Sequence, residues 1–579
     1  MKTQLLVTLS LLSMMADAVT SAQEPHNARI SIVHPGMDSL TADLKSMIDL
    51  TTPEEQETWV DVKDYFDLLA IGVDGSRPIR VDVLTGLSPV AYLIWVPLEG
   101  DEDNLALDFR DNLDAFGYLT RRDPQDRNLY EIDQEPEFGW LRVLPDIKYG
   151  VFVIVEGRKD LPVLKQLIQK AGDPLPDIKA LTDLEPSIGA ELVNSAVSEE
   201  DQQKRRTASE ELRKISMDAL QQRPDESDSG FGIRQKALDI QLDEGERIIA
   251  EAEEIRAWAK YDREQNTAEM RFIAKAIPGT SLHTAIAEFG TQPDIFAAIP
   301  PSEGFALSAR LNHPVDQMRQ TSALDFMELV DAEVKERIAN SDKLSTEQQK
   351  AAQELADGIL AISRDTAKSG YANAFIESIP DSGSDFTTVA GMAVPDASRA
   401  SELVPLFAKA GDANEGEADV DKVGDFRIHR VRLAKDTIEV IDQLFGEERD
   451  LYVAVSDSQI WLASGEGALD ALKKTIGLLG EAETHDTAIH IEARLLKWVE
   501  RLDAIVDAEP EPESLDDKEA WRNRKRDLER AIQALQSDDD LVVDVTSKDD
   551  TIHGVATVNV GSIRFVGKMI AAFAKENLQ

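Results

Sequence analysis

The hydrophobic pattern of the chain repeats as a strand-like apolar run followed by an amphipathic helix. Residues 273–289, 389–407 and 555–573 each begin with such a run, reach a proline or glycine, and continue with apolar positions four and seven residues apart. That spacing predicts one apolar stripe along two turns of a helix. The breakers are Pro278, Pro395 and Gly561, and the stripes end at Phe289, Phe407 and Phe573.

Three further segments, 90–116, 149–168 and 451–479, follow the same plan more loosely. In several copies the strand is the second arm of a predicted β-hairpin, most clearly at 79–96 and around the turn at 546–550. The sequence therefore predicts six hairpin–helix units, because similarity at this scale is typical of internal repeats.

A larger motif overlays these units and consists of a short strand followed by two long polar helices. Ser345, with Gln348 three residues later, has the pattern of a capping box at the start of one such helix. The strands are predicted at 187–193, 304–311 and 487–495. The helical pairs are predicted at about 198–222 with 234–257, 315–340 with 346–366, and 495–507 with 515–535.

These patterns predict an α+β fold. A hairpin with one helix buries too little apolar surface to be stable alone, so the repeated units are expected to share antiparallel or mixed sheets. The helices are expected on one face, with three αα-hairpins that project from the sheets. The alternative is that each helical pair caps the edge of its own sheet. The predicted segments are a signal peptide (1–22), an N-terminal extension (23–78), a first α+β repeat region (79–182), and three strand–αα-hairpin–β-hairpin–helix repeats (183–302, 303–482 with an extra hairpin–helix unit, and 483–579).

The N-terminus is typical of a secretory signal peptide. Lys2 supplies a positive charge, and the apolar run from Leu5 to Met15 is too short to span a bilayer. Small residues then offer two cleavage positions, after Ala18 or after Ala22. The signal peptide predicts an exported chain, periplasmic or extracellular. Since no other stretch approaches membrane length, we expect no integral membrane segment after signal removal.

Composition narrows the function classes. The 579 residues include 109 acidic and 62 basic side chains, which give a formal net charge of -47, and there is no cysteine. The absence of cysteine excludes disulfides, cysteine-ligated metal sites and thiol catalysis. The negative charge disfavours nucleic acid as a partner. Solubility explains this acidity without a ligand, and a basic or cation-bearing partner is the alternative.

Candidate chemistry is sparse. The chain contains no G-x-S-x-G elbow, no phosphate-binding G-x-x-x-x-G-K loop and no H-E-x-x-H motif. His490 and Glu492, two apart on a predicted strand with His485 nearby, come closest to a metal pair, although a strand whose polar side faces solvent explains the same residues with nothing bound. Acidic loops at 99–103, 412–421 and 538–540 do not match the EF-hand order. We therefore assign no catalytic, cofactor-binding or metal-ligating residue and expect no cofactor.

The plan resembles secreted bacterial proteins of uncharacterised activity that contain duplicated α+β repeats after a signal peptide. The resemblance covers most of the mature chain, implies export and a non-catalytic role, and transfers no functional residue. The leading hypothesis is an exported, non-enzymatic interaction or structural module with a protein partner, in the cell envelope or outside the cell. The alternatives are a secreted hydrolase with dispersed carboxylates, and a carrier of an apolar ligand in a cavity lined by Phe289, Phe407 or Phe573.

Overall fold

The computed structural model describes residues 28–84, 91–100, 105–194, 197–223, 226–380, 386–411, 415–432, 449–508, 515–536 and 538–578. The predicted signal peptide, with both cleavage positions, lies outside the described residues. Helices and strands are mixed along the chain, and the described strand pairings are antiparallel. The structure therefore confirms a mixed α+β fold with antiparallel sheet. The chain divides into a first unit (Met1–Ala219, Leu242–His283 and Val558–Gln579) and a second unit (Leu220–Gln241 and Thr284–Thr557).

The first unit contains an antiparallel sheet whose described strands pair in the order β4-β5-β6-β7-β3-β2-β1-β8-β9-β10. The strands are β1 (Ala28–His34), β2 (Ile79–Leu84), β3 (Ala91–Pro97), β4 (Leu119–Arg122), β5 (Leu129–Gln134), β6 (Glu137–Leu144), β7 (Tyr149–Glu156), β8 (Ile188–Asn194), β9 (Ala252–Asp262) and β10 (Thr267–Ala276).

The second unit repeats this order, since its strands pair as β14-β15-β16-β17-β13-β12-β11-β18-β19-β20. Each strand number is ten higher than its counterpart in the first unit. The strands are β11 (Leu307–Pro314), β12 (Tyr371–Pro380), β13 (Phe386–Ala393), β14 (Glu415–Val423), β15 (Phe426–Arg432), β16 (Asp450–Val455), β17 (Gln459–Ser464), β18 (Thr487–Arg494), β19 (Asp540–Lys548) and β20 (Thr551–Val558).

Helices connect the strands at matching places in the two units. Those between β1 and β10 are α1 (Met37–Asp49), α2 (Pro53–Gln56), α3 (Trp59–Leu69), α4 (Leu107–Ala115), α5 (Leu161–Gln169), α6 (Leu175–Thr182), α7 (Glu199–Ala219) and α8 (Asp228–Glu251). The later helices are α9 (Ser281–Ala287), α10 (Gln317–Ala339), α11 (Thr346–Lys368), α12 (Ala400–Lys409), α13 (Ala468–Ile476), α14 (Leu495–Ala508), α15 (Leu515–Leu535) and α16 (Val560–Asn577).

The first sheet is covered by helices on both faces along β5–β7. Successive strand residues point to opposite faces. On β7, Val153 therefore packs in one apolar cluster with Leu164 of α5, whereas Phe152 packs in another with Phe109 of α4. This part of the unit has a helix–sheet–helix arrangement.

The second unit is built in the same way. Ala454 on β16 packs with Leu472 of α13, and its neighbour Val455 packs with Ala400 of α12 and Ile362 of α11. We call these two sides the α13 face and the α12 face. The sequence pattern predicted helices on one face of the sheet only, and this prediction is wrong for this region. Successive apolar residues of a strand point to opposite faces of the sheet, so both faces need to be covered.

A glycine makes room for the largest fully buried side chain of the second unit. Trp461 on β17 is fully buried and contacts the Phe296 ring edge-to-face at a centroid distance of 5.4 Å. Gly391 lies directly across from it on β13, and a Cβ atom at Gly391 would come within 2.7 Å of the indole. The core therefore depends on glycine at this position.

Gly391→Ala is accordingly expected to destabilise the protein by about 1–3 kcal/mol through overpacking. Gly232→Ala is the matched control, because Gly232 lies within α8 and an added Cβ meets no atom within 4 Å. There the substitution is expected to stabilise by about 0.5–1 kcal/mol. Equilibrium denaturation measures both values, and equal effects at the two sites would contradict this description of the core.

Candidate functional site

The α12 face of the second sheet contains an open apolar groove of about 480 Å³. Its floor is formed by five adjacent strands, β17, β13, β12, β11 and β18. Two cross-strand rows supply the side chains, namely Leu462, Ala390, Ile376, Ala309 and Ile491 in the first row and Ile460, Met392, Ala374, Leu311 and Ile489 in the second.

The antiparallel register explains why ten apolar side chains meet on one face. In each strand the two contributing residues are two positions apart, so both point to the same side of the sheet. Neighbouring strands lie about 4.8 Å apart, which makes the five-strand floor about 19 Å across. The volume falls within the usual range for small-molecule sites, about 300–1,000 Å³.

The groove is more exposed in the second unit than the equivalent surface is in the first. Ile376, Met392 and Leu462 are 37%, 40% and 41% exposed. In the first unit Ile32 and Val83 are only 7% and 6% exposed. The groove is therefore a property of one unit and not of the shared strand order.

A histidine–proline step aligns the two units residue by residue. His34 ends β1 and precedes Pro35, and His313 precedes Pro314 at the end of β11. Ile30 and Ala309 each lie four residues before their histidine, and they pair with Val83 and Ile376 respectively. Val83 and Ile376 are thus equivalent, and so are their cross-strand neighbours.

This alignment shows what forms the groove. At three floor positions the second unit has alanine where the first unit has a larger side chain, so the cross-strand rows are lowered in the middle. The equivalent pairs are Ala309 with Ile30, Ala374 with Val81, and Ala390 with Tyr92. The hydrophobic pattern of the sequence does not identify these residues, because they lie on three separate strands, although the repeated His-Pro step is visible in the sequence.

The groove is uncharged. Of the described residues that line it, only Arg310 is charged, and its guanidinium donates to the carbonyl oxygen of Ala297 at 2.7 Å. Arg310 lies between Ala309 and Leu311 on β11, so its side chain points to the opposite, α13 face. An apolar ligand would meet hydrocarbon across the whole floor.

The structure places both ring nitrogens of His490 against carboxylates. Nδ1 lies 2.8 Å from Asp544 and Nε2 lies 2.9 Å from Glu492. His485 contacts the buried Asp294 through Nε2 at 3.1 Å, and its Nδ1 accepts from the backbone N–H of Thr487. Each nitrogen already has a hydrogen-bond partner, which leaves no lone pair directed at a metal.

His485 and His490 do come together around a cavity of about 10 Å³ beside Arg310. This volume is close to the minimum for one water molecule. Among the described residues no group of three or more histidine and carboxylate side chains could hold a metal ion.

The acidic loops are only partly within the described residues, which exclude 101–104 and 412–414. Of the described part, Asp421 pairs with Lys473 at 2.6 Å. Burial raises the pKa of Asp539, which is 4% exposed and accepts a hydrogen bond from the backbone N–H of Leu496 near the start of α14. Both carboxylates have structural partners.

A serine–histidine pair also occurs, but its geometry does not suit catalysis. His429 Nε2 lies 3.1 Å from the hydroxyl of Ser401, and its Nδ1 accepts from the backbone N–H of Asp419. The hydrogen is therefore on Nε2, which donates to the serine and cannot take its proton. Burial lowers the pKa of His429, which is 1% exposed, so the neutral form is favoured.

A second cavity, of about 590 Å³, lies in the first unit and has both apolar and charged residues in its lining. Its two cations each have a carboxylate partner: Arg263 contacts Asp43 at 2.6 Å, and Lys260 contacts Glu185 at 3.4 Å. These pairs hold the α1 helix to the turn after β9, and the residues before β8 to β9 itself. The charges thus serve the packing of this unit.

Phe289, Phe407 and Phe573, around which the sequence analysis placed a ligand cavity, are not among the residues that line the groove. Within the described residues no helix is both long enough and apolar enough to cross a membrane. Searches for related proteins return no matching family model, no curated protein and no solved structure.

Proposed function

We propose that this chain is an exported, non-enzymatic binding protein that holds an apolar, non-peptide ligand in the groove of its second unit. The observation that supports the proposal is the open hydrocarbon floor, deepened by Ala309, Ala374 and Ala390. Exposed apolar patches of this kind are typical of binding sites in soluble proteins. Export rests on the sequence of residues 1–22.

The sheet face disfavours an extended peptide as the ligand. Backbone N–H and C=O groups of the floor are used in the antiparallel ladders, so they offer no partners to a peptide lying above them. Burying peptide groups without partners costs free energy. A hydrocarbon chain has no such groups and gains about 0.8 kcal/mol for each buried CH₂.

Ten buried CH₂ groups would then contribute about 8 kcal/mol before the cost of association, which corresponds to dissociation constants in the micromolar range or weaker. That affinity is sufficient for a carrier that must also release its ligand. The apolar carrier, considered from the sequence as an alternative, is therefore our first choice, with its site moved to the α12 face.

The shared strand order supports a related proposal, that the chain arose by duplication of one ten-strand module. Under this proposal the α10–α11 pair after β11 is the enlarged counterpart of α1–α3 after β1, and the pairs α7–α8 and α14–α15 correspond. The sequence pattern suggested three large repeats, each with a helical pair. Under this proposal the three pairs belong to two types of strand connection, one after β8 and β18 and the other after β11, in two copies of one module.

The experiment is a titration of the full mature chain with an environment-sensitive apolar dye. We expect saturable binding with one site per chain, and displacement by a long-chain hydrocarbon. Leu462→Glu, which puts a charge on the groove floor, is expected to weaken dye binding at least tenfold, because desolvating a carboxylate is costly.

Met270→Glu provides the matched control. Met270 is an exposed apolar residue of the first unit, 49% exposed against 41% for Leu462, so the substitution adds the same charge elsewhere. It should leave dye affinity unchanged. Absence of saturable binding, or equal loss in both variants, would refute the proposed function. An affinity of the groove for an amphipathic helical peptide alone would favour the protein-partner hypothesis instead.

A further inference from the structure

A row of hydroxyl groups borders one end of the groove. Ser378, Thr388 and Ser464 are directly opposite one another on β12, β13 and β17. Each lies two residues beyond a floor residue, Ile376, Ala390 and Leu462 respectively, and so points to the same α12 face. The distance along each strand is about 6.6 Å, so the row is within reach of a ligand in the groove.

Part of this hydroxyl row is free to bind a ligand. The hydroxyls of Ser378 and Thr388 are 2.8 Å apart, and either can donate to the other, so one O–H of this pair remains unused. In the described part of the chain the Ser464 hydroxyl has no hydrogen-bond partner. Ser464 and Thr388 are half-buried, so both can reach a ligand that covers the floor.

Among the described residues that pair with its two ends, the row has apolar neighbours. Leu307 and Leu451 flank it on the outer strands, opposite Ser378 and Ser464 respectively. Arg310, the one charged side chain among the described residues that line the groove, points to the other face. A carboxylate or phosphate head group would therefore lose water here without gaining a cation, whereas an alcohol needs only hydroxyl partners.

We infer that the ligand is a neutral amphiphile, a hydrocarbon with an uncharged oxygen-containing head group, whose chain covers the apolar floor and whose head meets Thr388 and Ser464, while the buried Ser378 is the hydrogen-bond partner of Thr388. This inference rests on the proposed function and adds the class of ligand and its direction in the groove. Long-chain alcohols and acylglycerols share this chemistry.

The test compares three compounds of equal chain length, dodecane, dodecan-1-ol and dodecanoate, as competitors of the apolar dye on the full mature chain. We expect the alcohol to compete about threefold to tenfold better than the alkane, the gain of one net hydrogen bond, and the carboxylate to compete worst. In the double variant Thr388→Val with Ser464→Ala, the ratio of alcohol to alkane affinity is expected to fall to about one.

Ser308→Ala is the control, because this buried hydroxyl lies on β11 between Leu307 and Ala309 and points to the α13 face. It should keep the alcohol preference. If the three compounds compete equally, if dodecanoate competes best, or if the double variant keeps the preference, the inference is overturned while apolar binding stands. If none competes and the dye does not bind, the proposed function itself fails.

Discussion

Apolar-ligand binding is expected to be lost when the floor of the groove is filled with the side chains that the first unit has at the same positions. The triple variant is Ala309→Ile, Ala374→Val and Ala390→Tyr. Each larger side chain is already accommodated at the equivalent register in the first unit, as Ile30, Val81 and Tyr92. The substitutions should therefore fill the groove while the sheet still forms.

The larger side chains would take the place of ligand contacts equivalent to about four CH₂ groups. This loss lowers the binding free energy by about 3 kcal/mol, which is roughly a hundredfold in affinity. Dye titration measures this loss, and the denaturation midpoint shows whether the variant is folded. The same three substitutions made singly should have graded effects, with Ala390→Tyr the largest because tyrosine is the largest addition. A folded triple variant that binds with unchanged affinity would exclude the groove as the site.

Breaking a buried ion pair in the first unit is expected to lower the stability of that unit strongly. Arg80 and Asp82 are 3% and 8% exposed on β2. Asp82 accepts from Nε and Nη2 of Arg80 at 2.7 and 2.6 Å and from the hydroxyl of Ser31 at 2.7 Å. Asp82→Ala leaves the guanidinium buried beside Trp95 without its carboxylate. We expect the free energy of unfolding of the first unit to fall by about 3–5 kcal/mol.

Asp183→Ala is the control, since Asp183 forms an exposed i, i+4 pair with Lys179 whose side chains are 59% and 70% exposed. Exposed pairs of this kind contribute about 0.3–0.5 kcal/mol. Urea denaturation of the full chain measures both variants. The double variant Arg80→Met with Asp82→Ala should recover part of the loss, because it removes the unpaired charge. Similar costs for Asp82→Ala and Asp183→Ala would show that the buried pair adds little.

Local pattern predicted several elements well. The windows 273–289, 389–407 and 555–573 each contain the end of a strand and a helix in the structure. The Ser345–Gln348 capping box is confirmed, with Ser345 accepting from the Gln348 backbone and the Gln348 side chain accepting from the Ser345 N–H. These features depend on residues close in sequence, whose interactions do not require the rest of the fold.

Other features depended on distant partners. The sequence predicted helix up to residue 257, yet α8 ends at Glu251 and Ala252 begins β9. Residues 252–257 are rich in alanine and glutamate, which favour helix. Pairing with β8 on one side and β10 on the other provides backbone hydrogen bonds that outweigh this propensity.

The sequence by itself determined the α+β class and the alternation of apolar residues along the strands, because these follow from periods of two or about 3.6 residues. It also determined the helix cap at Ser345, because that cap needs only Gln348 three residues later. It could not determine which face of a strand is covered and which is open. That was decided by the order in which the described strands pair, which brings Ala309, Ala374 and Ala390 from three strands into one floor. The groove exists only in the tertiary structure, since its depth comes from neighbours that are distant in sequence.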